Sequence, residues 1–178
     1  MSSIKKILLP TDLSENSVHG LIMAFPLAAE KGAVLIVLHV ADPRQAEGFL
    51  DTDLTLGGVS PRWTVDRIIK QASLDLHSFI DQHRDLVRFP FVRKKVLFGD
   101  VSQRIIEEAR REAVDLVIMA PCPHRRLKRF FFEGITDRII REAPCPVLLV
   151  SRAIQRGQWW GNLIPSLRLL LRHAETTL

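Results

Sequence analysis

Val34–Val40 (VLIVLHV) limits the fold more than any other stretch of this chain. Successive side chains of a strand point to opposite faces, so a run that is apolar at nearly every position needs cover on both sides. Its β-branched residues suit an extended backbone. Such a strand belongs in a parallel sheet with helices on both faces, and it argues against a sheet with one face in water. Comparable short runs occur at Ile4–Pro10 (IKKILLP), Phe91–Phe98 (FVRKKVLF), Leu116–Ala120 (LVIMA) and Pro146–Val150 (PVLLV).

Between these runs the apolar spacing lengthens from two towards three and four, the signature of a helix buried along one face. Asn16–Lys31 places Val18, Leu21, Ile22, Phe25, Ala28 and Ala29 on one side, with Thr11, Asp12 and Ser14 as candidate caps and Gly32 as a stop. Arg62–His83 repeats the pattern through Val65, Ile68, Ile69, Ala72, Leu76, Phe79 and Ile80. Gly99-Asp100-Val101-Ser102 breaks the chain and caps a helix over Gln103–Glu112, and a last helix is predicted over Ile135–Glu142. Residues 41–61 carry glycines at 48, 57 and 58 with no sustained period, and read as a long mobile loop, a candidate lid. Five strands interleaved with helices specify the α/β class: an open five-stranded parallel sheet, doubly wound. The domain is expected to span residues 1–152, followed by a tail at 153–178.

At 178 residues and 20.2 kDa the chain is long enough for one domain with a full core plus an appendage. Its apolar runs fall well short of the roughly 18 to 20 residues that span a bilayer. Met1–Lys6 lacks the basic segment, apolar segment and cleavage site of a secretory signal, so a cytoplasmic location is expected. Cys122 and Cys145 each lie between prolines, and two such thiols suggest neither a disulfide framework nor a metal site. The net charge of +5 is interleaved with acids, as in Glu107–Glu112. Without aromatic residues alternating with basic ones, that charge does not point to nucleic acid. One local basic cluster remains, formed by His124, Arg125, Arg126, Lys128 and Arg129.

The opening KILLPTDLSENS, the LHV that closes the second strand, then FGDVSQRIIEEAR, AVDLVIMA and TDRIIREAPCPVLLV follow an order that resembles the universal stress protein domain over residues 4–152. The resemblance implies a five-stranded parallel sheet of the adenine nucleotide alpha hydrolase type, in agreement with the pattern of runs. It also bears on cofactors, because members of that family divide into those that bind ATP and those that do not. The ATP binders carry, after the fourth strand, Gly-x-x-Gly, nine residues, then Gly-Ser or Gly-Thr. Glycines there let backbone N–H groups approach phosphates at a helix N-terminus. Aligned without gaps, this chain has Ala120, Pro123, Glu133 and Gly134 at the four positions. Pro123 has no N–H to give. A carboxylate at Glu133 faces phosphate charge of its own sign, a repulsion of about 4 kcal/mol at about 4 Å and an effective dielectric of about 20. A one-residue shift brings Gly134 to the third glycine position, but it puts Ile135 at the hydroxyl position and misaligns Thr136–Ile140.

Other parts of the family's site match. By the resemblance, Asp12 sits where family members contact the adenosine moiety, Val40 where the backbone meets adenine, and Gly99 at the glycine after the third strand. With Gly134 these make a vestigial or weak nucleotide site. Three of them also have a plainer role: Asp12 as a cap of the first helix, Val40 as core and Gly99 as a turn. Arg125, Arg126, Lys128 and Arg129 either replace the lost donors with charge-assisted contacts to an anion or form a solvated loop.

No nucleophile with a base, no paired carboxylates and no metal ligands emerge; His19, His39, His77, His83, His124 and His173 do not fall at metal-ligand spacing. The expected function is a non-catalytic stress-response protein that acts through dimerisation or partner binding, with no cofactor. An ATP- or other adenine-nucleotide-binding sensor, or a weak ATPase, is the alternative. The last strand, 146–150, resembles the edge through which family members form homodimers. Beyond it, Trp159 and Trp160 precede Leu163, Leu167, Leu170, Leu171 and Ala174 on one face of an amphipathic helix. This tail packs on its own domain or on a twin subunit; on a third reading, residues 157–178 make the chain a peripheral membrane adaptor.

Overall fold

The computed structural model describes residues 4–43, 61–83, 92–120 and 132–150. Its elements run β1 (Lys6–Thr11), α1 (Ser17–Lys31), β2 (Val34–Ala41), α2 (Pro61–Gln82), β3 (Val92–Phe98), α3 (Val101–Arg111), β4 (Leu116–Met119), α4 (Phe132–Glu142) and β5 (Val147–Leu149). The strands form one sheet in the order β3-β2-β1-β4-β5, with every neighbouring pair parallel. This is the doubly wound α/β architecture read from the sequence. The expected tail, the basic cluster at 124–129, Cys122 and most of the expected lid lie outside the described residues.

The run that sets β2 is buried on both faces, as its composition requires. Leu35 and Val37 pack with Ile7, Leu9, Leu21, Phe25 and Leu76, beneath α1 and α2. Ile36 and Leu38 pack with Leu8, Ile105, Ile106 and Ile139, beneath α3 and α4. Each such side chain contributes about 1.5–3 kcal/mol when fully buried, so neither helical layer is dispensable.

One buried face and two helix starts differ from the sequence reading. The buried face of α1 is Ser17, Gly20, Leu21, Ala24, Phe25 and Ala28, whereas Ala29 is exposed and Val18 and Ile22 are half-buried. Gly20 explains the offset. A Cβ there would lie 2.9 Å from Leu9 Cδ1, so the helix makes its closest approach at the one position without a side chain. Next, α3 begins at Val101, because Asp100 rather than Ser102 caps it: Asp100 Oδ1 accepts from the Gln103 N–H at 2.9 Å and from the Ser102 hydroxyl at 2.8 Å. Finally, α4 begins at Phe132, which puts Gly134 in its first turn.

Helices α1 and α3 end in the same way. After α1 the Ala33 N–H donates to Ala28 O at 2.9 Å and the Gly32 N–H to Ala29 O at 3.3 Å, with Gly32 at φ 60. After α3 the Val114 N–H donates to Ala109 O and the Ala113 N–H to Arg110 O, both at 3.1 Å, with Ala113 at φ 49. Both are Schellman turns, which satisfy carbonyls left over at a helix end.

Charge is also used inside the fold. On the α3 side of edge strand β3, Lys95 Nζ donates to both Glu108 oxygens at 2.8 and 3.0 Å, and the Arg111 guanidinium adds contacts at 2.9 and 3.1 Å. Glu108 is thereby satisfied although it is only 2% exposed. At the entry to β4, Asp115 Oδ2 accepts from the backbone N–H of Lys5 at 2.8 Å and of Lys6 at 2.9 Å, which holds its carboxyl below the ordinary value. Cys145 is half-buried, and burial pushes its thiol upward with the Asp115 charge adding to the effect, as expected of a structural rather than a reactive thiol.

Candidate functional site

From β1 the chain builds outward through β2 to β3, then returns to place β4 on the other side of β1. At such a reversal the loops leaving the carboxyl ends of the two central strands diverge, and the crevice between them is where open α/β sheets bind ligands. Asp12 follows β1 directly and Ala120 follows β4 directly. The pairing of Leu8 with Val117, carried three residues on, puts Thr11 level with Ala120. Thr11 pairs with His39, which puts Asp12 level with Val40, and the Gly99 N–H donates to Ala41 O at 3.1 Å. Asp12, Val40 and Gly99 therefore lie along one edge of three adjacent strands, which sit about 4.8 Å apart.

The Asp12 turn is closely tied. Asp12 Oδ1 accepts from the Ser14 N–H at 3.1 Å, from the Ser14 hydroxyl at 2.6 Å and from the Ser17 hydroxyl. Ser17 Oγ in turn accepts from the Asp12 N–H at 3.2 Å, and Thr11 Oγ1 accepts from the Leu13 N–H at 3.0 Å. Leu13 is held at φ 61, a left-handed conformation that costs a non-glycine residue about 1–2 kcal/mol. The cap position of α1 belongs to Asn16, whose side chain makes no cap bond, and not to Asp12. The first amides of α1, on Ser17, Val18 and His19, donate to Ser14 O, Glu15 O and Asn16 O at 3.0, 3.3 and 3.1 Å. The Asp12 carboxylate instead reaches α1 through the Ser17 hydroxyl. Behind the turn, His39 Nδ1 lies 2.9 Å from Thr11 O; a carbonyl only accepts, so Nδ1 carries the proton.

The two glycines differ in kind. Gly99 stands at φ 134, where the backbone alone favours glycine, and a Cβ there would also lie 2.9 Å from the side-chain Nε of Arg104. Gly134 is exposed, and a Cβ there would meet nothing within 4 Å, so packing does not require it. One helical turn beyond Gly134, Arg138 Nη1 lies 3.2 Å from Ser102 Oγ and 3.4 Å from Asp100 Oδ1, linking α4 to the turn after Gly99. Val40 is 7% exposed and belongs to the core beneath α3 and α4. Pro123, Arg125, Arg126, Lys128 and Arg129, and the side chain of Glu133, lie outside what is described.

The sequence reading named Asp12, through the resemblance, and did not name Ser17, Asp42 or Arg138. For Ser17 a signal existed: hydroxyls two and five residues after an aspartate at a strand end are within reach of one carboxylate. Asp42, only 7% exposed, follows the apolar run of β2 directly and adds a buried acid at the same edge. Arg138 carries no local signal, because its partners lie on another helix. Among the described residues no group of three or more His, Cys, Asp or Glu could hold a metal ion, and no helix is long and apolar enough to cross a membrane.

The pattern of the universal stress protein family matches residues 3–151. The chain belongs to the universal stress protein family. Among its relatives, universal stress protein MJ0577 of Methanocaldococcus jannaschii is 28% identical over 156 residues, covering 83% of this chain and 95% of the relative. The solved structure of MJ0577 matches with a TM-score of 0.63 at 26% identity, over 85% of this chain and 98% of that one. A universal stress protein in complex with cAMP matches with a TM-score of 0.57 at 16% identity, over 84% and 98% of the two chains. One from Arabidopsis thaliana with AMP bound matches with a TM-score of 0.51 at 13% identity, over 89% and 99%. At these last identities the likeness is one of fold. In this universal stress protein the carboxyl edge of the sheet carries, after β1, an oriented carboxylate able to accept hydrogen bonds and, after β4, Ala120.

Proposed function

We propose that this universal stress protein is a non-catalytic, cytoplasmic stress-response protein that takes the nucleoside end of an adenine nucleotide beside β1. It holds a single phosphate better than a triphosphate. The observation that carries this reading is the asymmetry of the crevice. Its β1 side keeps a fixed acceptor at Asp12. Its β4 side has Ala120, followed in sequence by Pro123 and Glu133, where glycines would offer phosphate-binding amides. The cAMP and AMP in the two distant relatives support a ligand with one phosphate group.

Calorimetric titration of the full chain with AMP, cAMP and ATP with Mg²⁺ tests it. The expected result is binding of AMP or cAMP, weaker binding of ATP, and no ATP turnover. Asp12→Ala should weaken AMP binding about tenfold or more, the loss of one charge-assisted hydrogen bond. ATP bound more tightly than AMP, or an Asp12→Ala variant of unaltered affinity, overturns the reading. Association is the second part of the proposal: β5 lies at the edge of the sheet, and Leu149 on it is 38% exposed.

A further inference from the structure

We propose that Ser17 is a positioning residue, whose buried hydroxyl sets the direction of the Asp12 carboxylate and so the affinity of the crevice for a donor group on the nucleoside. The inference rests on the reading that this crevice takes an adenine nucleotide. Ser17 is 5% exposed and opens α1, the helix that Leu21 and Phe25 fix against the sheet. Its hydroxyl has one proton and two acceptor sites. The proton goes to Asp12 Oδ1, and one acceptor site takes the Asp12 N–H at 3.2 Å. The backbone and the side chain of Asp12 are thus both tied to the first residue of a helix that is packed on the sheet. Ser14 adds two donors to the same oxygen, but it lies in the turn before α1, whereas the Ser17 hydroxyl is on the helix and buried. Holding a side chain in its bound rotamer removes part of the ordering cost of binding, so an Asp12 cut loose from α1 binds the same ligand more weakly.

The test is titration of the full chain with AMP, using Ser17→Ala, Ser17→Thr, Asp12→Ala and the double variant Asp12→Ala/Ser17→Ala. Thermal melting of each unliganded variant checks that it is folded; alanine favours the helix that Ser17 opens. Ser17→Ala should weaken AMP binding about fivefold to tenfold, while Ser17→Thr, which keeps the hydroxyl, stays within about threefold of the unaltered chain. The double variant should bind no more weakly than Asp12→Ala alone, because Ser17 acts only through Asp12. A purely structural role would instead add its full factor in the double variant, and that result overturns the inference. It is overturned equally if Ser17→Ala keeps full affinity while Asp12→Ala loses it, or if Ser17→Thr is as weak as Ser17→Ala. An unaltered chain that binds none of AMP, cAMP and ATP overturns the nucleotide reading and this inference with it.

Discussion

Gly32 and Ala113 hold the left-handed place in the two Schellman turns, with φ at 60 and 49. Glycine adopts that conformation freely, whereas alanine pays a steric cost of about 1–2 kcal/mol, part of which is returned by its smaller entropy loss on folding. Ala113 is exposed, so its methyl group adds little packing. Ala113→Gly should therefore raise the free energy of unfolding by about 0.5–1 kcal/mol, and Gly32→Ala should lower it by a similar amount. Urea denaturation of both variants checks this, and a destabilised Ala113→Gly would show that the turn is not strained. The pair also shows what a sequence reveals at this scale. Gly32 could be picked out as a helix stop because glycine is enriched there, whereas Ala113 makes the same turn with the residue that most favours helix continuation. The site follows the same rule. Asp12 was singled out through the family resemblance, but Ser17 looked like any polar residue in a first turn until its hydroxyl was seen on the carboxylate.

Strands and helices were legible wherever burial is two-sided or one-sided along a whole element, and their limits were set by contacts that no periodicity records. β2 follows from composition alone. The offset of the α1 face and the earlier start of α3 depend on a close approach at Gly20 and on which of two neighbouring residues caps. The joining of β4 to β1 is the clearest case, because a short strand is secured by an acid that precedes it. Asp115 Oδ2 accepts two backbone N–H groups from the start of β1, and the Asp115 N–H donates to Lys6 O at 2.9 Å, extending the ladder by side-chain means. Asp115→Ala should cost about 2 kcal/mol near neutral pH, the worth of charge-assisted bonds at a partly buried site. Those N–H groups lower the folded-state value of the carboxyl below the ordinary 3.8, with the Lys5 and Lys6 charges adding to the effect. The stabilisation is therefore present above pH 3.8 and is lost as the pH falls through the lower folded-state value. Urea denaturation at neutral pH and near pH 2 should show the gap between the unaltered chain and Asp115→Ala closing in acid; a gap independent of pH would mean that packing, not charge, fixes β4.

The whole sheet has two unlike edges. β3 presents Arg93, Lys94 and Lys95 along its length, with Arg93 and Lys94 exposed, and such charges discourage another strand from pairing. β5 presents Val147, Leu148 and Leu149, with no charge and with Leu149 among the most exposed large apolar residues described. Strand order was legible as a class from alternating elements, and the family resemblance pointed to the last strand as a pairing edge. That the opposite edge is guarded follows only from knowing that β3 is terminal. Among the described residues one edge is guarded by charge and the other, β5, is apolar, and such a sheet pairs in a closed way edge to like edge, through a two-fold axis at β5. Sedimentation equilibrium at tens of micromolar should therefore give twice the 20.2 kDa chain mass. Leu149→Lys should return the protein to a folded monomer, whereas Lys94→Ala on the guarded edge should leave the mass unchanged. A monomeric unaltered chain would leave Leu149 without a function in assembly, and a Leu149→Lys variant that stays dimeric would move the interface away from β5.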